Sequence, residues 1–118
     1  MTRTLVVKVT AGEDAAERCM QGLTVSSVAA ASGVTVSLWL TGEAVWLATP
    51  GRDLVLPESP AASILLAAVL ESGTLTVCTQ CAARRGLGQG DLIHGTRIAG
   101  AASFVSEALA DGAQALVY

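Results

Sequence analysis

Two cysteines separated by two residues, Cys78 and Cys81, are the side chains in this sequence best suited to chemistry. Cys78 ends the apolar segment 74–78, and Arg84 and Arg85 follow Cys81 by one turn. A thiol at the point where a strand ends and a helix begins faces the partial positive charge of the helix N-terminus, which favours thiolate over thiol. The pattern predicts a reactive Cys78, with Cys81 close by and the two arginines adding positive charge.

Three chemistries compete for such a pair. Thioredoxin-like exchange usually requires a later proline, yet all three prolines precede Cys78. A zinc site usually takes four ligands, and besides the pair the sequence offers Cys19, which we assign to core packing, and His94. The third chemistry is a nucleophilic Cys78 that carries a group as a covalent adduct, with Cys81 as a modulating or resolving thiol. We favour the third and predict neither a metal nor a cofactor, while a purely structural role for both cysteines stays open.

The elements that must position Cys78 follow from hydrophobic periodicity. Strands are predicted at 5–10, 34–40, 74–78, 96–99 and 113–117, and helices at 13–31, 60–71, 79–85 and 101–110. Strands that are apolar throughout and alternate with helices are typical of a parallel sheet covered on both faces. We therefore predict one α/β domain over residues 1–118, a three-layer α/β/α sandwich with a mainly parallel sheet of about five strands.

Three further residues are candidates for a supporting role. Glu43 follows the strand 34–40 and is predicted at the same sheet edge as Cys78, and Trp46 is placed to wall that site. His94 follows the cysteine helix and is a candidate for proton transfer near Cys78, although a lone histidine beside apolar residues is more often structural. The segments 48–59 and 86–90 are candidate lids.

Composition excludes several classes of function. The 118 residues are 52% hydrophobic and only 14% charged, with a net charge of −3. That balance argues against disorder and against a nucleic-acid binder that works by bulk charge. The longest uncharged apolar run, 61–70, has 10 residues, whereas a membrane span needs roughly 20. The start of the chain lacks the pattern of a signal peptide, so we expect a cytoplasmic protein with apolar surface covered by another subunit.

The sequence resembles the DsrE/DsrF-like family of small sulfur-relay proteins over nearly its whole length. The resemblance is carried by the segments 38–45, 77–86 and 91–100, and its most specific piece is Val77-Cys78 followed at fixed distance by Arg84-Arg85. It implies that Cys78 accepts sulfane sulfur as a persulfide and passes it to a partner protein, as a sulfur carrier or sulfurtransferase-like relay component. It also implies a homotrimer, a hexamer or an assembly with related subunits.

The second cysteine does not separate a relay subunit from other members of this family. Many relatives of uncertain function also carry a cysteine at the position of Cys81. Two alternatives therefore stay open: a non-catalytic oligomeric binding or assembly module with structural cysteines, and a CxxC dithiol redox protein.

Overall fold

Five parallel strands form the centre of the computed structural model, which describes residues 3–118. The strands are β1 (Thr4–Val9), β2 (Thr35–Leu40), β3 (Thr74–Cys78), β4 (Thr96–Ala99) and β5 (Ala113–Val117). Their order across the sheet is β4-β3-β2-β1-β5, and every neighbouring pair is parallel. This architecture confirms the predicted α/β class and parallel sheet.

Four α-helices connect the strands. They are α1 (Ala16–Ala31), α2 (Ala62–Leu70), α3 (Thr79–Arg84) and α4 (Ala101–Ala108). Shorter 3-10 segments cover Glu13–Ala15, Gly42–Ala48 and Gln89–Asp91. No helix within residues 3–118 combines the length and apolarity that a membrane crossing requires.

Several predicted helix boundaries need correction, and two of them differ by two residues. The helix predicted from Pro60 begins at Ala62, because the carboxylate of Asp53 accepts hydrogen bonds from the Ser63 N–H at 2.9 Å and the Ser63 hydroxyl at 2.7 Å. An acceptor from ten residues earlier thus satisfies an N–H of the first turn. The helix predicted to reach Ala110 ends at Ala108.

One face of the sheet is covered by α1 and α2. Their apolar side chains pack on the inward-facing residues of the three central strands. The strand residues of this core are Val7, Val9, Val36, Leu38, Leu40, Leu75 and Val77. All are almost completely buried, which accounts for much of the apolar excess in the composition.

The opposite face is covered by α4, and the carboxylate of Glu107 attaches this helix to the strands. Glu107 accepts hydrogen bonds from the Ser37 hydroxyl, from Trp39 Nε1 at 3.1 Å and from the guanidinium of Arg97. Burial raises the pKa of Glu107, but these hydrogen bonds and the charge of Arg97 outweigh it and hold the pKa below its ordinary value. The ionised carboxylate therefore fixes α4 on the sheet. Its contribution to stability is present above the unfolded-state pKa and is lost as the pH falls through the lower folded-state pKa.

Candidate functional site

Cys78 lies at the carboxyl edge of the sheet, where ligands bind in open α/β sheets. It is the last residue of β3, it pairs with Ala99 of β4, and α3 begins at the next residue. The side chain is half-buried. Part of the Cys78 side chain is therefore open to solvent, and the rest is covered by the protein.

The surroundings of the Cys78 thiol lower its pKa. Burial raises its pKa, but hydrogen bonds from the backbone and thiol of Cys81 and from the backbone of Gln80, together with the charge of Lys8, bring the pKa below its ordinary value. These donors favour the thiolate because they stabilise the charged form. Since the pKa is depressed, the thiolate persists to lower pH than in an ordinary cysteine and is lost only as the pH falls through that depressed value.

Cys81 is buried. Its sulfur accepts the N–H of Gly42 at 3.2 Å, and its side chain contributes to the lowered pKa of Cys78. Gly42 has a positive φ of 56°, and a Cβ there would lie 2.7 Å from the carbonyl oxygen of Thr10. Glycine is required at this position, so the local backbone is built to bring an N–H to Cys81.

A charged clamp joins the end of α3 to the 3-10 segment after β2. Arg85 donates from Nε and Nη2 to Glu43 Oε2, both at 2.8 Å, and from Nη1 to the carbonyl of Cys81 at 3.1 Å. Trp46 Nε1 donates to the same Glu43 oxygen at 3.3 Å, and the Arg52 guanidinium stacks 4.4 Å from the Trp46 ring centroid. Because Glu43 neutralises Arg85, the clamp positions the cysteine helix and does not supply the thiolate with a counter-ion.

Not all of the predicted site residues come together. Hydrogen bonds connect α3, the helix that follows Cys78, to the segment after β2 through four of them: Glu43, Trp46, Cys81 and Arg85. Arg84 is exposed and forms no hydrogen bond or ion pair within the part of the chain that the structure describes.

His94 lies away from this group. It precedes β4, whose first residue, Thr96, pairs with Leu75 near the start of β3. About 10 Å of strand therefore separates its end of the sheet from Cys78. The structure does not bring this imidazole to the thiol.

The third cysteine belongs to the core. Cys19 is fully buried in α1. Burial, with a smaller contribution from the charge of Asp14, raises its pKa to about 11. The prediction of core packing for Cys19 is confirmed. Within residues 3–118 no three His, Cys, Asp or Glu side chains cluster so as to hold a metal ion.

The two candidate lids are both tied to the body of the protein. In the 48–59 segment, the carbonyl of Leu54 accepts the N–H of Ala62 at 2.9 Å, next to the Asp53 cap of α2. In the 86–90 connector, the side-chain amide of Gln89 donates to the carbonyl of Thr96 at 2.6 Å. These contacts fit connecting segments.

Sequence reasoning missed Lys8, the charged side chain whose field lowers the pKa of Cys78. Its sequence signal is a single charge inside an otherwise apolar strand, Leu5 to Val9. A charge in that setting needs a partner or a function, because a buried ammonium is costly. Cys78, the residue whose pKa Lys8 lowers, is seventy residues away in the chain.

Fold and site together define a small parallel α/β protein that presents one half-buried cysteine with a lowered pKa at the carboxyl edge of its sheet. The model of the DsrE/DsrF-like family matches residues 4–118. The chain belongs to this family. No curated protein matches the sequence.

Solved structures share the fold. The YchN protein from Escherichia coli is 20% identical, with complete coverage of both chains and a TM-score of 0.78. A protein of unknown function from Methanobacterium thermoautotrophicum, MTH1491, is 11% identical, with 98% of this chain and 99% of that one covered and a TM-score of 0.72. A conserved protein of unknown function from Bacteroides thetaiotaomicron, BT1422, is 16% identical, with 98% and 94% covered and a TM-score of 0.68. At these identities the likeness concerns the fold alone.

Proposed function

We propose that this protein is a sulfur carrier that holds sulfane sulfur as a persulfide on Cys78. The observation that carries the proposal is the half-exposed position of Cys78 at the carboxyl edge of the sheet, immediately before α3, where the surroundings lower the pKa of its thiol. Membership of a sulfur-relay family supports it. We place the protein in the cytoplasm, where a free thiol stays reduced.

The proposed transfer is a simple displacement. The Cys78 thiolate attacks the outer sulfur of a donor persulfide, a new S–S bond forms, and the donor's inner sulfur leaves as a thiolate with the electron pair. The outer sulfur keeps its own proton or charge. The same hydrogen-bond donors that stabilise the Cys78 thiolate can then hold the persulfide anion. Treatment with a sulfane-sulfur donor is expected to add one sulfur, about 32 Da, to the intact mass.

The thiol–thiol contact also favours a second function, dithiol exchange between Cys78 and Cys81. In that case the Cys78 thiolate is the attacking group and the Cys81 thiol resolves the mixed disulfide. Burial of Cys81 and its hydrogen bond from Gly42 restrict that thiol. We rank the carrier function first because it needs only the accessible sulfur.

Alkylation separates these functions from a structural module. We expect iodoacetamide to modify one thiol per chain rapidly at pH 7, at Cys78, because its lowered pKa keeps thiolate populated. The rate should fall with decreasing pH about a midpoint below 8.5, the ordinary value for a cysteine. Cys19 serves as the internal control, since burial and a pKa of about 11 keep it protonated. A midpoint at or above about 8.5 would favour the structural module.

We also propose that the protein is a homo-oligomer, a trimer or hexamer. Apolar side chains stay exposed on α4, directly after it and on β5, including Val105 at 51%, Leu109 at 79% and Val117 at 64%. β5 is also an edge strand, and the outer side of an edge strand carries unpaired backbone groups. Light scattering should therefore give a multiple of the 11.9 kDa chain mass. A molar mass equal to that of one chain at every concentration contradicts the assembly.

A further inference from the structure

Two cations project from the sheet face that α4 covers, and their surroundings differ. Arg97 of β4 is ion-paired with Glu107 and also donates from Nε to the hydroxyl of Thr76 at 2.9 Å. Lys8 of β1 forms no ion pair among the residues the structure describes. The Glu43–Arg85 pair near Cys78 is likewise internally neutralised. Lys8 is therefore the cation on this face whose charge is not balanced by a carboxylate.

The strand register places Lys8 on the same face as Cys78. Lys8 pairs with Trp39 of β2, which pairs with Thr76 of β3, so the three side chains form one row. Cys78 follows Thr76 by two residues and projects from the same face. Two strand spacings are about 10 Å, a gap that the long lysine side chain partly crosses.

An aromatic pair holds the ammonium group in place. Lys8 Nζ lies 4.3 Å from the ring centroid of Phe104 in α4. Phe104 in turn meets Trp39 edge to face, with ring centroids 5.4 Å apart. Trp39 stands on β2, the strand between Lys8 and Cys78. A cation–π contact fixes the position of the charge without neutralising it, because the ring supplies a quadrupole and no formal charge.

We propose that Lys8, held by Phe104, is a positioning residue that draws anionic sulfane-sulfur donors to Cys78. The inference rests on the proposed function and adds the class of donor. A thiolate and an anionic donor repel each other, so a fixed positive charge nearby speeds their encounter. The lowering of the Cys78 pKa by Lys8 agrees with that placement.

Thiosulfate serves as the anionic probe. The Cys78 thiolate attacks its outer sulfur, the new S–S bond forms, the bond to the sulfonate sulfur breaks, and sulfite leaves with the electron pair. The product is the Cys78 persulfide anion, so atoms and charge balance. Dimethyl trisulfide, a neutral sulfane-sulfur compound, is the uncharged probe. The Cys78 thiolate attacks its central sulfur, a new S–S bond forms, one S–S bond of the trisulfide breaks, and methanethiolate leaves with the electron pair, so Cys78 then carries a mixed methyl trisulfide.

Alkylation rates measure the electrostatic potential near Cys78 without any sulfur donor. Iodoacetate is anionic and iodoacetamide is neutral, and both react with the same thiolate. The ratio of their rates, each corrected for the thiolate fraction, therefore reports the charge near Cys78. We expect Lys8→Met to lower this ratio about threefold to tenfold, the size of a single charge effect at this range in a partly solvated site. Lys8→Arg should keep it within about twofold. Arg18→Gln, which removes one charge from an exposed position on α1, should leave it unchanged.

The outcomes are decisive in both directions. A ratio in Lys8→Met equal to that of the parent overturns the proposal, and so does an equal fall in Arg18→Gln, which would reveal a bulk charge effect. If the Lys8→Met variant does not fold, the salt dependence of the same rate ratio in the parent protein provides the test instead. Between about 0.01 M and 1 M salt the ratio should fall toward that of free cysteine, because screening removes the field, and a flat profile overturns the proposal. If neither thiosulfate nor the trisulfide labels the parent while the ratio behaves as expected, the carrier function fails and the role of Lys8 in attracting anions stands.

Discussion

Replacing Cys78 with serine is expected to abolish sulfur uptake from a sulfane-sulfur donor. A serine hydroxyl does not ionise in this range and forms no persulfide, so the added mass of about 32 Da should disappear. Cys19 is fully buried and Cys81 is 9% exposed, so neither sulfur is open to the donor. Intact-mass spectrometry of the two proteins after the same donor treatment makes the measurement.

Cys81→Ser is the matched control for that experiment. It removes the second sulfur but keeps a side-chain hydroxyl, which can donate a hydrogen bond as a thiol does. Uptake should therefore persist, at a rate within about threefold of the parent. If Cys81→Ser loses uptake as completely as Cys78→Ser, and the oxidised parent loses about 2 Da, the pair works as a dithiol instead.

Replacing Trp39 with alanine is expected to produce the largest loss of stability. Trp39 is the largest fully buried side chain and is 1% exposed. It packs on Phe104 and donates to Glu107, so its removal leaves a cavity beneath α4 and takes a donor from a carboxylate. The free energy of unfolding should fall by about 3–5 kcal/mol. Urea unfolding at one fixed protein concentration measures it, since the proposed assembly would make stability depend on concentration.

Trp46 offers a comparison with the same residue type at the rim of the site. It is only half-buried, and its indole N–H bonds to an exposed carboxylate, Glu43. Trp46→Ala should cost about 1 kcal/mol. Equal losses of unfolding free energy for the two tryptophans would contradict the conclusion that the contacts of Trp39 with Phe104 and Glu107 hold α4 on the sheet.

Local sequence pattern was sufficient to place the cysteine segment. The strand predicted at 74–78 is β3, and the helix after it begins at Thr79. Both depend on neighbouring residues: a β-branched apolar run up to Cys78 and a change to helix-forming residues after it. The contact of Glu43 with Arg85 was within reach of the same reasoning, because both follow the carboxyl ends of strands that prove to be adjacent.

The charge around Cys78 was not predictable in the same way. The two arginines nearest in sequence contribute little, because Glu43 neutralises Arg85 and Arg84 is exposed. Lys8 contributes because β1 lies two strands from β3, on a sheet whose order periodicity does not reveal. Likewise, His94 follows the cysteine helix in sequence but lies at the other end of the strands, because the 86–95 segment returns the chain to the start of β4.

The central claim is that sulfane sulfur resides on Cys78, and its location in the parent protein is the most direct test. The donor-treated protein would be alkylated, digested with trypsin and fragmented in the mass spectrometer. The tryptic peptide 53–84 contains both Cys78 and Cys81, and the two residues between them allow fragment ions to distinguish the sulfurs. We expect the extra mass of about 32 Da on Cys78, with Cys81 carrying none. Extra sulfur on Cys81, or a Cys78 that stays unmodified under conditions in which free cysteine is persulfidated, contradicts the claim.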